Sequence, residues 1–84
     1  MSTETFVDSI VKETFARLGD SSDDAKKKAI VGQSGHRRGI EFASTHLTAV
    51  WLPSRNVIVF RDKAGRPVRI LNVAETMRAR GIAA

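Results

Sequence analysis

The stretch that decides the fold is LTAVWL-PSRN-VIVFR-DKAG-RPVRIL, residues 47–71. Residues 47–52 and 57–61 are rich in β-branched and aromatic side chains, which favours two strands separated by a turn at 53–56. Residues 62–65 (DKAG) predict a hairpin loop with Gly65 in a left-handed conformation. Residues 67–71 then form the returning strand, with Pro67 at its start because proline cannot donate a backbone hydrogen bond. Together these residues predict a three-stranded antiparallel meander.

Helical patterns flank this meander on both sides. Apolar residues recur along 4–18 with the spacing of a single helical stripe, and Ser2 or Thr3 supplies a cap. The segment Ser21–Asp24 predicts the start of a second helix that runs from Ala25 to about Val31. Asn72 and Glu75 form a pattern typical of a capping box and predict a last short helix that ends before Gly81.

Residues 40–46 (IEFASTH) fit a helix or a short strand, and both alternatives stay open. The predicted fold class is therefore α+β, with two N-terminal helices, a three-stranded antiparallel meander and a short C-terminal helix. A fourth short strand near 40–44 is the variant of this prediction. The whole chain, 1–84, forms one small basic domain, since 84 residues leave no room for two domains.

Composition limits the functions that this domain can perform. There are no cysteines and two histidines, so we expect neither a disulfide nor a thiolate or zinc site, and no cofactor. The longest nearly apolar run, residues 47–52, is too short to cross a membrane, and the polar start predicts no secretory signal. We therefore expect a cytoplasmic protein without a membrane partner. The small core and the edge strand that begins at Pro67 favour a homodimer.

Charge is distributed unevenly along the chain. Residues 1–24 carry a net charge of −4 and residues 25–84 a net charge of +9, which together give +5. A body this basic attracts polyanions, and the acidic first quarter either shields it or lies away from it. The sequence therefore predicts a binding module for nucleic acid or another polyanion.

The loop GQSGHRRG, residues 32–39, is the first candidate site. Its glycines allow backbone N–H groups to converge on an anion, and arginine forks match phosphate oxygens. The spacing matches neither a P-loop nor a dinucleotide fingerprint. The alternative interpretation is a flexible connector without a ligand. The anion-binding residues predicted here are Gln33, Ser34, His36, Arg37 and Arg38.

A second basic cluster surrounds the predicted hairpin, with Arg55 at the preceding turn. Strand alternation predicts that its arginines share one solvent-exposed face, from which a basic ribbon contacts phosphates. Protection of the sheet edge by charge is the alternative reason for this cluster. The residues predicted to bind phosphate here are Arg61, Lys63, Arg66 and Arg69. Trp51 is expected in the core or in a dimer contact.

The segment from Ala29 to Gly35 (AIVGQSG) resembles the Gly-x-x-Gly loop of KH RNA-binding domains, in which this loop joins two helices and clamps a single strand. The resemblance implies helices on both sides of the loop and contact with single-stranded nucleic acid. The chain departs from the family pattern at Arg38, where a large apolar residue is expected, and at Gly39. We therefore do not assign the chain to this family.

Two other functions are compatible with the sequence. One is a regulatory adaptor or inhibitor that binds a protein partner through its first helix or a sheet edge. The other is a small nuclease in which His36 and Glu41 act as the acid–base pair, which requires a turn or helix over residues 36–41. No catalytic signature is present, so the sequence favours a non-enzymatic binding module over an enzyme and leaves the nuclease as an alternative.

Overall fold

The computed structural model describes residues 2–20, 25–32, 35 and 37–81, and for Arg37 it describes the backbone alone. The chain begins with one long helix, continues through five strands and ends in a short helix. In chain order the elements are α1 (Thr3–Arg17), β1 (Lys26–Val31), β2 (Arg37–Ala43), β3 (Leu47–Leu52), β4 (Val57–Asp62), β5 (Pro67–Asn72) and α2 (Val73–Ala79).

The five strands form one antiparallel sheet in the order β1-β2-β3-β4-β5, so each strand pairs with its neighbour in the chain. Both helices contribute side chains to the core on one face of the sheet, and we call this face the helix side. Successive side chains of a strand point to opposite faces, so the core residues of β2, β3 and β4 identify the inner face. The buried core consists of Phe6, Val7, Ile10, Val11, Phe15, Ile40, Phe42, Leu47, Ala49, Ile58, Phe60, Val73 and Met77.

The first helix forms as its apolar spacing predicts. The Oγ atom of Ser2 accepts a hydrogen bond from the backbone N–H of Thr5 at 3.1 Å, which caps the first turn. The apolar residues within α1 lie in the core, where Val7, Val11 and Phe15 are fully buried, whereas Leu18, at the end of the predicted stripe, is exposed. This helix therefore uses its apolar face within its own domain.

The predicted second helix is wrong. Residues 21–24 lie outside the described residues, and Lys26–Val31 form the edge strand β1 instead of a helix. Lys27 points to the helix side, where its Nζ atom lies 3.3 Å from Glu4 Oε1, 3.1 Å from Asp8 Oδ1 and 5.9 Å from the ring centre of Phe42. An inward-pointing charge on an edge strand also prevents pairing with another chain, so the three lysines suit an edge.

The predicted strand count is also wrong, because residues 37–43 form the full strand β2 between β1 and β3. The ambiguous stretch therefore adopts the strand alternative, and it begins three residues earlier than the predicted fourth strand. Ile40 and Phe42 alternate into the core and leave Glu41 on the other face. Lys26–Val31 and Arg37–Ala43, on either side of residues 32–36, are strands, so the helix order that the KH resemblance implies is wrong as well.

The three strands predicted over residues 47–71 are present, but as part of a five-stranded sheet and not as a separate three-stranded meander. Strand β3 has the predicted bounds, and β4 and β5 each extend one residue further than predicted. In the hairpin, Asp62 Oδ1 accepts hydrogen bonds from the backbone N–H of Ala64 at 3.0 Å and of Arg66 at 2.9 Å. Gly65 has a φ of 87°, the left-handed conformation that its place in the loop requires. Asn72 caps α2, since its Oδ1 accepts from the N–H of Glu75 at 2.9 Å.

None of the helices in the described part of the chain is both long enough and apolar enough to span a membrane.

The backbone of β3 leaves no room for a side chain at Gly39 in β2. A Cβ atom at this position would collide with the backbone carbonyl oxygen of Trp51, and it would also contact the side chain of Leu52 at 3.6 Å. Because the obstacle is backbone, the two strands must separate to admit a side chain. We expect Gly39→Ala to lower the free energy of unfolding by about 1–3 kcal/mol, measured by urea denaturation. An unchanged midpoint would show that β2 and β3 tolerate a wider spacing.

Candidate functional site

The structure separates the predicted site residues into two groups at opposite ends of the sheet. Arg38 lies where β2 begins, beside the turn 53–56 between β3 and β4. We call this end of the sheet the cleft end. Arg61, Lys63 and Arg66 lie where β4 ends and β5 begins, which we call the hairpin end. The six residues of β4 place the two ends about 17 Å apart. Gln33, Ser34 and His36 lie outside the described residues.

The sequence predicted that the hairpin arginines share one face, and this prediction is wrong. Arg69 pairs with Phe60 across β4 and β5, and Phe60 points into the core, so Arg69 also points to the helix side. There it lines a groove with residues of both helices, among them Glu13 and Glu75. Arg61 alternates with Phe60 and projects from the opposite face. The hairpin end therefore offers Arg61, Lys63 and Arg66 without Arg69.

The turn 53–56 at the cleft end is fixed by four hydrogen bonds. The backbone N–H of Arg55 donates to the carbonyl of Leu52 at 3.1 Å, and that of Asn56 donates to Pro53 at 3.2 Å. The indole N–H of Trp51 donates to Asn56 Oδ1 at 3.3 Å, and the N–H of Val73 donates to the carbonyl of Asn56 at 2.9 Å. The turn is thus tied to β3 and to the start of α2, so it presents Ser54 and Arg55 at a defined place.

Of the two places expected for Trp51, the core or a dimer contact, the structure shows packing against the core. Its half-buried side chain packs against the core, and its indole N–H supplies the hydrogen bond to Asn56 that helps hold the turn. A tryptophan with one apolar side and one polar atom suits such a boundary. Trp51 therefore helps to hold the turn 53–56 through Asn56.

Arg38, at the start of β2, lines the same cleft as the turn 53–56. Its side chain lies across Gly32, where a Cβ atom would approach Arg38 Nε to 2.5 Å and Cδ to 3.1 Å. Strand pairing places residue 38 opposite Pro53, because Ile40 pairs with Trp51. The result is an open surface cleft of about 530 Å³. Its described lining consists of Arg38, Leu52, Pro53, Ser54 and Arg55.

Arg55 is the residue that sequence reasoning placed in the wrong group. The sequence associated it with the hairpin arginines, whereas the structure puts it beside Arg38, about one strand length from the hairpin. The only available signal was the turn composition at 53–56. That signal could not identify Arg38 as the neighbour, because the pairing of β2 with β3 was not predicted.

The acidic residues of α1 neutralise cations on the helix side and not at the cleft. The hydrogen bond from Lys27 to Asp8 and the nearby Glu4 carboxylate raise the pKa of Lys27. Glu13 Oε1 lies 2.8 Å from both Arg17 Nη2 and Arg80 Nη2. The hydrogen bond from Arg80, with the charge of Arg17, lowers the pKa of Glu13. Among the described residues that line the cleft there is no carboxylate.

The acid–base pair of the nuclease hypothesis lacks the geometry that it requires. Residues 37–41 are extended in β2, so about 13 Å of strand separates Arg37 from Glu41. The turn or helix that would bring residues 36 and 41 together does not form over this range. Glu41 instead lies directly opposite Lys28 in the pairing of β1 with β2. Within the described chain, no group of three potential metal ligands is present.

No family model matches the chain, and neither a curated protein nor a solved structure shows significant similarity to it.

Proposed function

We propose that this protein is a non-enzymatic nucleic-acid-binding module that holds backbone phosphates in the cleft between Arg38 and Arg55. The observation that carries the proposal is that two arginines from separate segments line one cleft whose described lining has no carboxylate. Cations that serve solubility alone need no such shared cleft. The ion pairs of Lys27, Arg17 and Arg80 show the contrasting arrangement, in which an acid accompanies each cation.

The cleft has the chemistry that a phosphate group needs. Arginine presents a planar fork of N–H donors that matches two phosphate oxygens, and the Ser54 hydroxyl supplies a further donor. Leu52 and Pro53 contribute an apolar wall, which lowers the local dielectric constant and strengthens these contacts. Gln33, Ser34, His36 and Arg37 adjoin this end of the sheet in the sequence and remain proposed phosphate contacts.

The hairpin end is proposed as a second, separate contact. Arg61, Lys63 and Arg66 are exposed there, and the separation of about 17 Å corresponds to about five base pairs of duplex at 3.4 Å each. Arg69 does not belong to this contact, because it points to the helix side. Phosphate contacts of this kind position a protein on nucleic acid without reading its sequence.

The first helix does not offer the binding surface that the adaptor hypothesis requires. The apolar residues that would bind a partner are buried against the sheet, and Leu18, just beyond α1, is the large hydrophobic residue of this region that stays exposed. A helix that docks in a partner's groove needs a free apolar face. The cleft therefore supports the nucleic-acid proposal better than the first helix supports an adaptor.

The test is fluorescence anisotropy of labelled single- and double-stranded DNA and RNA, titrated with the wild-type protein at 50 and 200 mM salt. If the cleft holds two duplex phosphates, the rise in salt from 50 to 200 mM should weaken binding about tenfold. If about six cations at both ends contact phosphates, the same rise should weaken binding roughly a thousandfold. Absence of binding at 50 mM salt, or binding that salt does not weaken, would contradict the proposal.

A further inference from the structure

The face of the sheet opposite the helix side, the open face, carries a patch of aliphatic side chains. Strand register places Val50, Val59 and Ile70 side by side across β3, β4 and β5, with Val57 and Val68 on the same face. Ile70 is 63% exposed and Val68 is 46% exposed. No helix in the described chain covers these residues. We propose that this patch is the interface between two copies of the protein, packed face to face.

The charges of the open face surround the patch and leave its centre apolar. Lys26 and Lys28 lie on β1, Glu41 lies on β2, and Arg61 lies near the hairpin end of β4. Within β3 to β5, the row through Val50, Val59 and Ile70 contains no charged side chain. Two such patches can therefore meet without burying an unpaired charge, while the charged side chains remain at a hydrated rim.

The exposed aliphatic side chains of the open face suit a partner sheet. Val68 and Ile70 are exposed on β5, and Val50, Val57 and Val59 are half-buried beside them. Face-to-face packing of sheets about 10 Å apart removes this kind of surface from water.

A second copy fits this patch better than nucleic acid does. Valine and isoleucine offer neither the aromatic surface on which bases stack nor the charge that phosphates require. An apolar patch without a charge of either sign is complementary to itself, which is what a two-fold interface demands. The lysines of the edge strand β1 hinder pairing with another chain, and so do Pro67 and the inward-pointing Arg69 on the other edge strand, β5. The open face has no such protection.

This inference goes beyond the proposed function and does not depend on it. The described lining of the cleft contains none of the patch residues, so a dimer would carry two clefts. Two linked sites would strengthen binding to a long nucleic acid by avidity. Mass measurements test the dimer without nucleic acid, so the two proposals can fail separately.

The decisive experiment is sedimentation equilibrium of the full chain over a concentration range of about 1 µM to 1 mM, with two matched lysine variants. Ile70→Lys places a charge in the patch at a residue that is 63% exposed, so the fold of the monomer should survive. Val31→Lys is the control, because Val31 is 59% exposed and lies on β1, outside the patch. We expect wild type and Val31→Lys at twice 9.2 kDa, and Ile70→Lys at 9.2 kDa.

Circular dichroism shows whether Ile70→Lys is folded, and Val68→Lys replaces it if it is not. Wild-type protein that remains at 9.2 kDa throughout the range would overturn the proposal. A dimeric, folded Ile70→Lys would overturn it as well, because the interface would then lie elsewhere. Loss of the dimer in Val31→Lys together with Ile70→Lys would point to general charge repulsion and would also contradict it.

Discussion

Phe60→Ala is expected to lower the free energy of unfolding by about 3–5 kcal/mol. Phe60 is fully buried, and its ring meets that of Phe15 edge-on, with centroids 5.8 Å apart and an interplanar angle of 85°. This pair joins α1 to the sheet, so the truncation leaves a cavity between the helix and the sheet. A domain of 84 residues has a total stability of about 4–13 kcal/mol. One substitution can therefore remove most of it.

The measurement is urea denaturation followed by circular dichroism, with Val31→Ala as the control. Val31 is 59% exposed, so its truncation removes little buried area and should change stability by less than about 0.5 kcal/mol. A decrease in the free energy of unfolding of less than about 1 kcal/mol for Phe60→Ala would show that this ring pair does not stabilise the packing of α1 on the sheet.

The elements that sequence reasoning identified are those whose signals are local. The apolar stripe of α1, the β-branched runs of β3 and β4, and the caps of α2 each lie within about ten residues. Strand β1 is different, because three successive lysines give no strand signal. Lys27 becomes favourable on the inner face through Glu4 and Asp8, which lie about twenty residues earlier in the chain. Propensity could not predict that pairing.

The site was predicted less well than the fold, because its geometry depends on strand register. Strand alternation in the sequence predicts that Arg61 and Arg69 lie together on one solvent-exposed face. The pairing of Arg69 with Phe60 reverses this arrangement, since a shift of one residue exchanges the two faces of a strand. Likewise, Arg55 joins Arg38 only once β2 is known to pair with β3.

The double variant Arg38→Ala/Arg55→Ala is expected to weaken nucleic-acid binding roughly a hundredfold at 50 mM salt. Each lost charge-assisted contact contributes about 1.4 kcal/mol, which is tenfold in Kd. Both side chains are exposed, so the fold should persist. The slope of log K against log salt should become shallower by about 1.8 on duplex DNA, because two phosphates lose their partners.

The matched control is Lys12→Ala/Arg78→Ala, which removes the same net charge from exposed positions on the two helices. If long-range attraction alone governs binding, the two double variants will weaken it equally, and the cleft will have no special role. If the cleft holds phosphates directly, the control should lose less than about fivefold and keep the wild-type slope. Arg61→Ala/Arg66→Ala, at the hairpin end, should fall between them, since those side chains project from the sheet without converging on a shared cleft. Equal slopes for all three variants would therefore contradict a localised site, whatever the absolute affinities.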